Sequence, residues 1–164
     1  MVYLKKKHQK ELTSLDNMTK IIFVCHGNIC RSVAAEYICK DILLKQGRLD
    51  KFEISSRATS LEEIGNDIYP PMKYALNKYG ISFDKHHAKQ ITRKEVEDAD
   101  LIFYMDYNNQ RNLERMFGYN PKFHLITEHT DFIEVIGDPW YTDLFDEVVE
   151  ELKKCIEDIL YTLR

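Results

Sequence analysis

Apolar positions along this chain follow two alternating patterns. Short runs rich in β-branched and aromatic residues have the length and composition of strands buried in a sheet. They are Ile21-Ile22-Phe23-Val24, Phe52-Glu53-Ile54-Ser55, Leu101-Ile102-Phe103-Tyr104-Met105 and Phe123-His124-Leu125-Ile126. Between them the apolar residues recur at helical spacing. Ala34, Ala35, Ile38, Ile42 and Leu43 predict a helix stopped by Gly47. Pro70-Pro71 opens a second through Met72, Ala75, Leu76 and Tyr79, closed at Gly80. Thr92-x-x-Glu95 is a capping box for a short helix ending near Ala99, and Asn108 to Phe117 predicts another before Gly118. The last helix is the clearest, with Phe145, Val148, Val149, Leu152, Ile156, Ile159, Leu160 and Leu163 on one stripe. Thr127 to Tyr141 reads as irregular.

Strands alternating with helices imply right-handed βαβ units. The expected fold is α/β, a three-layer sandwich: a four-stranded parallel sheet with helices on both faces. In such sheets ligands bind beyond the carboxyl ends of strands, where the strand order reverses. One turn lies at such an end: Val24-Cys25-His26-Gly27-Asn28-Ile29-Cys30-Arg31-Ser32, between the first strand and the first helix.

That turn has the residues of an anion cradle. Backbone N–H groups at a helix N-terminus lack partners, and the helix dipole favours negative charge there. Arg31 adds a planar, permanently charged fork able to hold two phosphoryl oxygens. A cysteine facing such donors is favoured as thiolate, a nucleophile that needs no partner base. Gly27 allows a tight turn with its N–H inward, Asn28 tolerates left-handed backbone angles and braces the loop, and Ser32 can donate to the sulfur.

Composition narrows the class. The chain has 164 residues, 30% charged and 44% hydrophobic, enough for one domain with a real core. A net charge of −4 gives no sign of nucleic-acid binding, and the basic stretch Lys5-Lys6-Lys7-His8-Gln9-Lys10 is too short to change that. No apolar run is long enough to cross a membrane, and the basic start lacks the core of a secretory signal. Four cysteines, Cys25, Cys30, Cys39 and Cys155, are too few for a disulfide framework, so reduced thiols and a cytoplasmic, soluble protein are expected. A zinc site built on Cys25, His26, Cys30 and Cys39 is disfavoured because the usual paired cysteine spacing is missing and Cys39 falls on an apolar stripe. Cys155 reads as structural. The domain is expected to run from residue 18 to 164. Residues 1–17 read as a flexible extension or equally as a frayed surface helix.

The stretch Val24 to Ser32 resembles the phosphate-binding loop of low-molecular-weight protein tyrosine phosphatases. Further likenesses stand at matching places: Ser55-Ser56-Arg57-Ala58-Thr59-Ser60, Glu63-Ile64-Gly65-Asn66, His87-Ala88-Lys89-Gln90-Ile91-Thr92, Met105-Asp106 and Asp138-Pro139-Trp140-Tyr141. They span about Lys20 to the C-terminus, and Met1 to Thr19 has no counterpart.

The resemblance implies hydrolysis of phosphotyrosine monoesters in proteins. Cys25 would form a cysteinyl-phosphate, Arg31 and the loop His26, Gly27, Asn28, Ile29, Cys30 and Ser32 would hold phosphate, and Asp138 would serve as general acid and base. Asn28, Ser32, Ser56 and His86 would brace the loop, and His26, Trp140 and Tyr141 would line the substrate cleft. No metal or organic cofactor is implied. Phosphotyrosine-containing proteins would be the partners, inorganic phosphate a product or inhibitor, and the enzyme a monomer.

Some alternatives stand beside these. Asp138 before Pro139 can be a plain turn residue. Asp106 reads as a brace for the loop or a helix cap rather than a chemical group. Cys30 is either core filler or a resolving thiol that forms a disulfide with Cys25 under oxidation. Val33 stands where the family usually has proline, and His26 where an apolar residue is common. A phosphoarginine phosphatase relative would carry threonine at Ile29. An arsenate reductase would need a cysteine pair nearer the loop than Cys39 and Cys155. A phosphate-binding module without turnover is the rival of another class.

Overall fold

The computed structural model describes residues 18–164. The expectation for residues 1–17 lies outside them. Four parallel strands, β1 (Thr19–Cys25), β2 (Phe52–Ala58), β3 (Leu101–Tyr104) and β4 (Phe123–Leu125), stand in the order β2-β1-β3-β4. The chain leaves β1 for a neighbour on one side and then returns to its other side, so strand order reverses between β1 and β3. The loop after Cys25 sits at that switch.

Strand alternation divides the core in two. Ile21, Phe23 and Cys25 of β1, with Phe103 of β3, face one layer, while Ile22, Val24, Ile102 and Tyr104 face the other. The first layer is covered by α1 (Arg31–Lys45), α2 (Pro70–Lys78) and α6 (Phe145–Thr162). Leu43, Leu76, Leu152 and Ile156 close it with almost no exposure. The second is covered by α3 (Arg93–Asp98) and α4 (Tyr107–Phe117), through Val96 and Leu113. The three-layer α/β sandwich with helices on both faces is therefore observed.

Element ends shift by a few residues from the sequence reading. β1 and β2 run further because their ends pair in register, Thr19 with Phe52 and Cys25 with Ala58. Alternating burial had hidden the polar half of β2. Thr92 and Glu95 do form the capping box of α3. One correction concerns Thr127 to Tyr141, read as irregular throughout. Pro139–Thr142 forms a short helix, α5, whose N-cap is Asp138. Four residues are too few to show a helical period, but Asp followed by Pro is a start signal.

Candidate active site

The site begins with a helix that has no side-chain cap. Cys30 is the N-cap of α1, at φ −126° and ψ −89°, and its side chain makes no cap bond to the first-turn amides. Among the described residues the N–H groups of Gly27, Ile29, Cys30 and Arg31 meet no acceptor. They belong to a loop that wraps the end of β1. Such amides attract an anion.

Asn28 holds the loop in shape. Its backbone is left-handed, at φ 60°, which asparagine tolerates better than most residues. Its N–H points at Cys25 Sγ at 3.3 Å. Its side-chain amide donates to Ser32 Oγ at 2.8 Å and to Ser56 Oγ at 3.0 Å. Its Oδ1 accepts from the Lys89 N–H at 3.2 Å. The carbonyl of Asn28 lies 2.6 Å from His86 Nε2; a carbonyl only accepts, so that nitrogen carries the hydrogen. Burial lowers the pKa of His86 despite this bond, which keeps the ring neutral and the tautomer single. His87 turns outward, toward Gly65 O.

Ser32 Oγ lies 3.0 Å from Cys25 Sγ. Since Ser32 accepts from Asn28, its own hydrogen is left for the sulfur. The chain of bonds continues inward, for Ser56 Oγ donates to Glu36 Oε1 at 2.7 Å and Glu36 Oε2 is met by Lys40 Nζ at 2.7 Å. Glu36 escaped the sequence reading. Its spacing from Lys40 is that of an exposed helix pair, whereas it is only 9% exposed. The one signal was its place amid apolar residues of α1.

The Asn28→Ala variant removes three side-chain bonds and leaves a left-handed residue without its amide. A loss of about 3 kcal/mol is expected at roughly 1 kcal/mol per bond, read from the urea midpoint.

Arg31 is buried with a side-chain exposure of 3%. Its Nη1 donates to Asp106 Oδ2 at 2.6 Å and to Ile136 O at 2.9 Å. Nη2 stands 3.5 Å from Asp138 Oδ2. Burial opposes the charge, but Cys25, Asp106 and Asp138 outweigh it and push the guanidinium's pKa up. Asp106 also accepts from the Asn109 N–H at 2.9 Å, so it is both brace and cap of α4. Asp138 is likewise a turn residue: its Oδ1 caps α5 through the Trp140 N–H at 3.0 Å, while Oδ2 faces Arg31.

Cys25, Arg31 and Asp138 line one cavity of about 420 Å³. Its walls include His26, Ile29, Trp140 and Tyr141. Trp140 rests on Tyr69, ring centroids 4.9 Å apart, and is 56% exposed. His26 Nε2–H donates to Glu62 Oε2 at 2.9 Å on the rim. Beside the tight turn, Gly27 leaves room for Glu63: an added β-carbon would stand 3.2 Å from Glu63 Cγ. Cys30 lines the same cavity, and burial, then the nearby Cys25 and Asp138, raises its pKa so that it stays a thiol. Cys39 and Cys155 are buried elsewhere in the core. Among the described residues no group of three or more His, Cys, Asp or Glu could hold a metal.

A family profile described as "Low molecular weight phosphotyrosine protein phosphatase" matches residues 20–164. The chain belongs to this family. Low molecular weight protein-tyrosine-phosphatase YfkJ of Bacillus subtilis is 34% identical over 152 residues, covering 90% of this chain and 97% of that protein. The low molecular weight phosphotyrosine protein phosphatase of Gallus gallus is 31% identical over 156 residues, covering 85% and 92%. The solved structure of SP-PTP, the low molecular weight protein tyrosine phosphatase of Streptococcus pyogenes, superposes with a TM-score of 0.81. Its identity is 37%, and the match covers 90% of this chain and 94% of that one. Low-molecular-weight phosphatase membership accounts for the fold and makes the chain an enzyme by descent.

Proposed function

We propose that this phosphatase hydrolyses phosphotyrosine in proteins through a cysteinyl-phosphate. The observation that carries the reading is one cavity holding a sulfur at 3.0 Å from a hydroxyl, a buried guanidinium and a capping carboxylate. Unpartnered amides and the outer edge of Arg31 receive the phosphoryl oxygens. Cys25 thiolate attacks phosphorus opposite the phenolic oxygen, the S–P bond forms and the P–O bond to tyrosine breaks. Asp138 enters protonated and gives its proton to that oxygen. Asp138 then takes a proton from water as the water attacks phosphorus, the S–P bond breaks and phosphate leaves. Ser32, oriented by Asn28, Ser56 and Glu36, stabilises the departing thiolate. Phosphate as product is expected to compete with substrate for the loop.

Ile29 gives the cavity an apolar wall, and Trp140 and Tyr141 give it an aromatic rim, which suit a phenyl ring. The test is kcat/KM of the wild type on phosphotyrosine and phosphoarginine peptides of one sequence. Preference for phosphotyrosine is expected; preference for phosphoarginine would overturn the reading. The four unpaired thiols suit a reducing compartment, the cytoplasm, and no helix among the described residues is long and apolar enough to cross a membrane.

Cys30 serves in this proposal as a resolving thiol. Peroxide converts Cys25 thiolate to a sulfenic acid, releasing hydroxide, and Cys30 condenses with it to a disulfide, releasing water. Activity of the wild type should return after added thiol, and that of Cys30→Ser should return less completely. Equal recovery would remove the role.

A further inference from the structure

Beside the catalytic cavity runs a second groove of about 520 Å³. It shares His26, Arg31, Asp138 and Tyr141 with the first, so the two are continuous. From there it follows α4. Asn108, Arg111, Asn112 and Arg115 line it, and their spacing places them on one face of the helix. Asn109 joins them from its buried place at the flank, and Leu113, on the opposite face, is buried in the protein.

This face bears guanidinium and amide groups and no carboxylate. Among the described residues Arg111 donates only to Asn108, and Arg115 has no ion-pair partner. The one acid within α4, Glu114, lies off the groove and accepts from Gln110 Nε2 at 3.4 Å. The two carboxylates at the inner end, Asp106 and Asp138, both face Arg31. Across the catalytic cavity the rim is acidic, with Glu62 and Glu63. The site is thus polarised, negative on the side of the loop after β2 and positive along α4.

A phosphotyrosine in a protein enters the cavity as part of a chain, and its neighbours must run over this rim. Carboxylates beside it are repelled by Glu62 and Glu63 and matched by Arg111 and Arg115, whose forks suit carboxylate geometry. We propose that the α4 groove is a subsite for Asp and Glu side chains flanking the phosphotyrosine of the substrate, recognised by Arg111 and Arg115. This rests on the phosphotyrosine reading of the catalytic cavity.

The test compares kcat/KM on two phosphotyrosine peptides, one with Asp and Glu flanks and one with Asn and Gln in their place, and on free phosphotyrosine. The wild type should prefer the acidic peptide by roughly fivefold at low salt, as two exposed ion pairs allow. The preference should shrink as salt is added. A variant combining Arg111→Gln and Arg115→Gln should lose it while keeping the wild-type value on free phosphotyrosine, which does not reach α4. The subsite is overturned if the wild type shows no preference or the double variant retains it. An equal loss on free phosphotyrosine would also overturn it, because the two arginines would then be acting on the loop. Turnover of free phosphotyrosine without flank preference sinks the subsite alone. Absence of turnover on both free phosphotyrosine and peptides sinks the reading of the cavity and the subsite with it.

Discussion

Cys25→Ser is expected to lower kcat on para-nitrophenyl phosphate and phosphotyrosine by on the order of 10⁵, the scale on which losing a nucleophile acts. The size follows from what the loop is built to stabilise. Asn28 N–H and Ser32 Oγ converge on the sulfur at 3.3 and 3.0 Å, where they can donate to it as it leaves phosphorus. A serine hydroxyl in that place remains protonated at neutral pH, and among the described residues no base stands against it. The amides and Arg31 are untouched, so phosphate should still bind, and the variant should hold a phosphotyrosine peptide without turning it over. Residual turnover near the wild-type rate would rule out the covalent route. A wild type that binds such peptides but hydrolyses nothing would instead make this a phosphate-binding module.

The second large effect belongs to Asp138→Ala, and it should depend on the leaving group. On phosphotyrosine kcat should fall by about 10²–10³, within the range for general acid catalysis. On para-nitrophenyl phosphate the fall should be smaller, because para-nitrophenolate leaves without a proton. The alanine also deletes the cap that bonds the Trp140 N–H, so α5 and the aromatic rim lose an anchor. Asp138→Asn keeps a capping oxygen while removing the proton, which separates the two roles. If Asp138→Asn matches wild type on phosphotyrosine, Asp138 is a structural cap and the acid lies elsewhere.

Much of the site was legible before the structure because its parts are local. A strand, a turn and a helix are each encoded within a few neighbouring residues, and Cys25 to Ser32 lies across all three. Asp138 stands more than a hundred residues away, and only its resemblance to a family pattern tied it to the loop. Glu36 and Asp106 show what local pattern cannot supply. Glu36 matches the helix-surface rule and breaks it by packing beneath β2, where Ser56 needs an acceptor. Asp106 fitted a cap or a brace equally well, and it performs both because the end of β3 lies beside the Arg31 guanidinium. The α5 helix was hidden for a different reason, being shorter than one period of the pattern that reveals helices.

Cys25 closes β1 and Arg31 opens α1, and both are nearly as buried as the core residues around them. In the proposed mechanism the reacting groups are therefore part of the protein's foundation, and a change that moved them would disturb the central strand and the helix packed on it. Trp140, Tyr141 and the two arginines of α4 stand outside that foundation, on surfaces where substitutions cost the fold little. Divergence in such a protein is confined to one direction. The chemistry can be lost but scarcely altered, while the choice of substrate can drift freely around it.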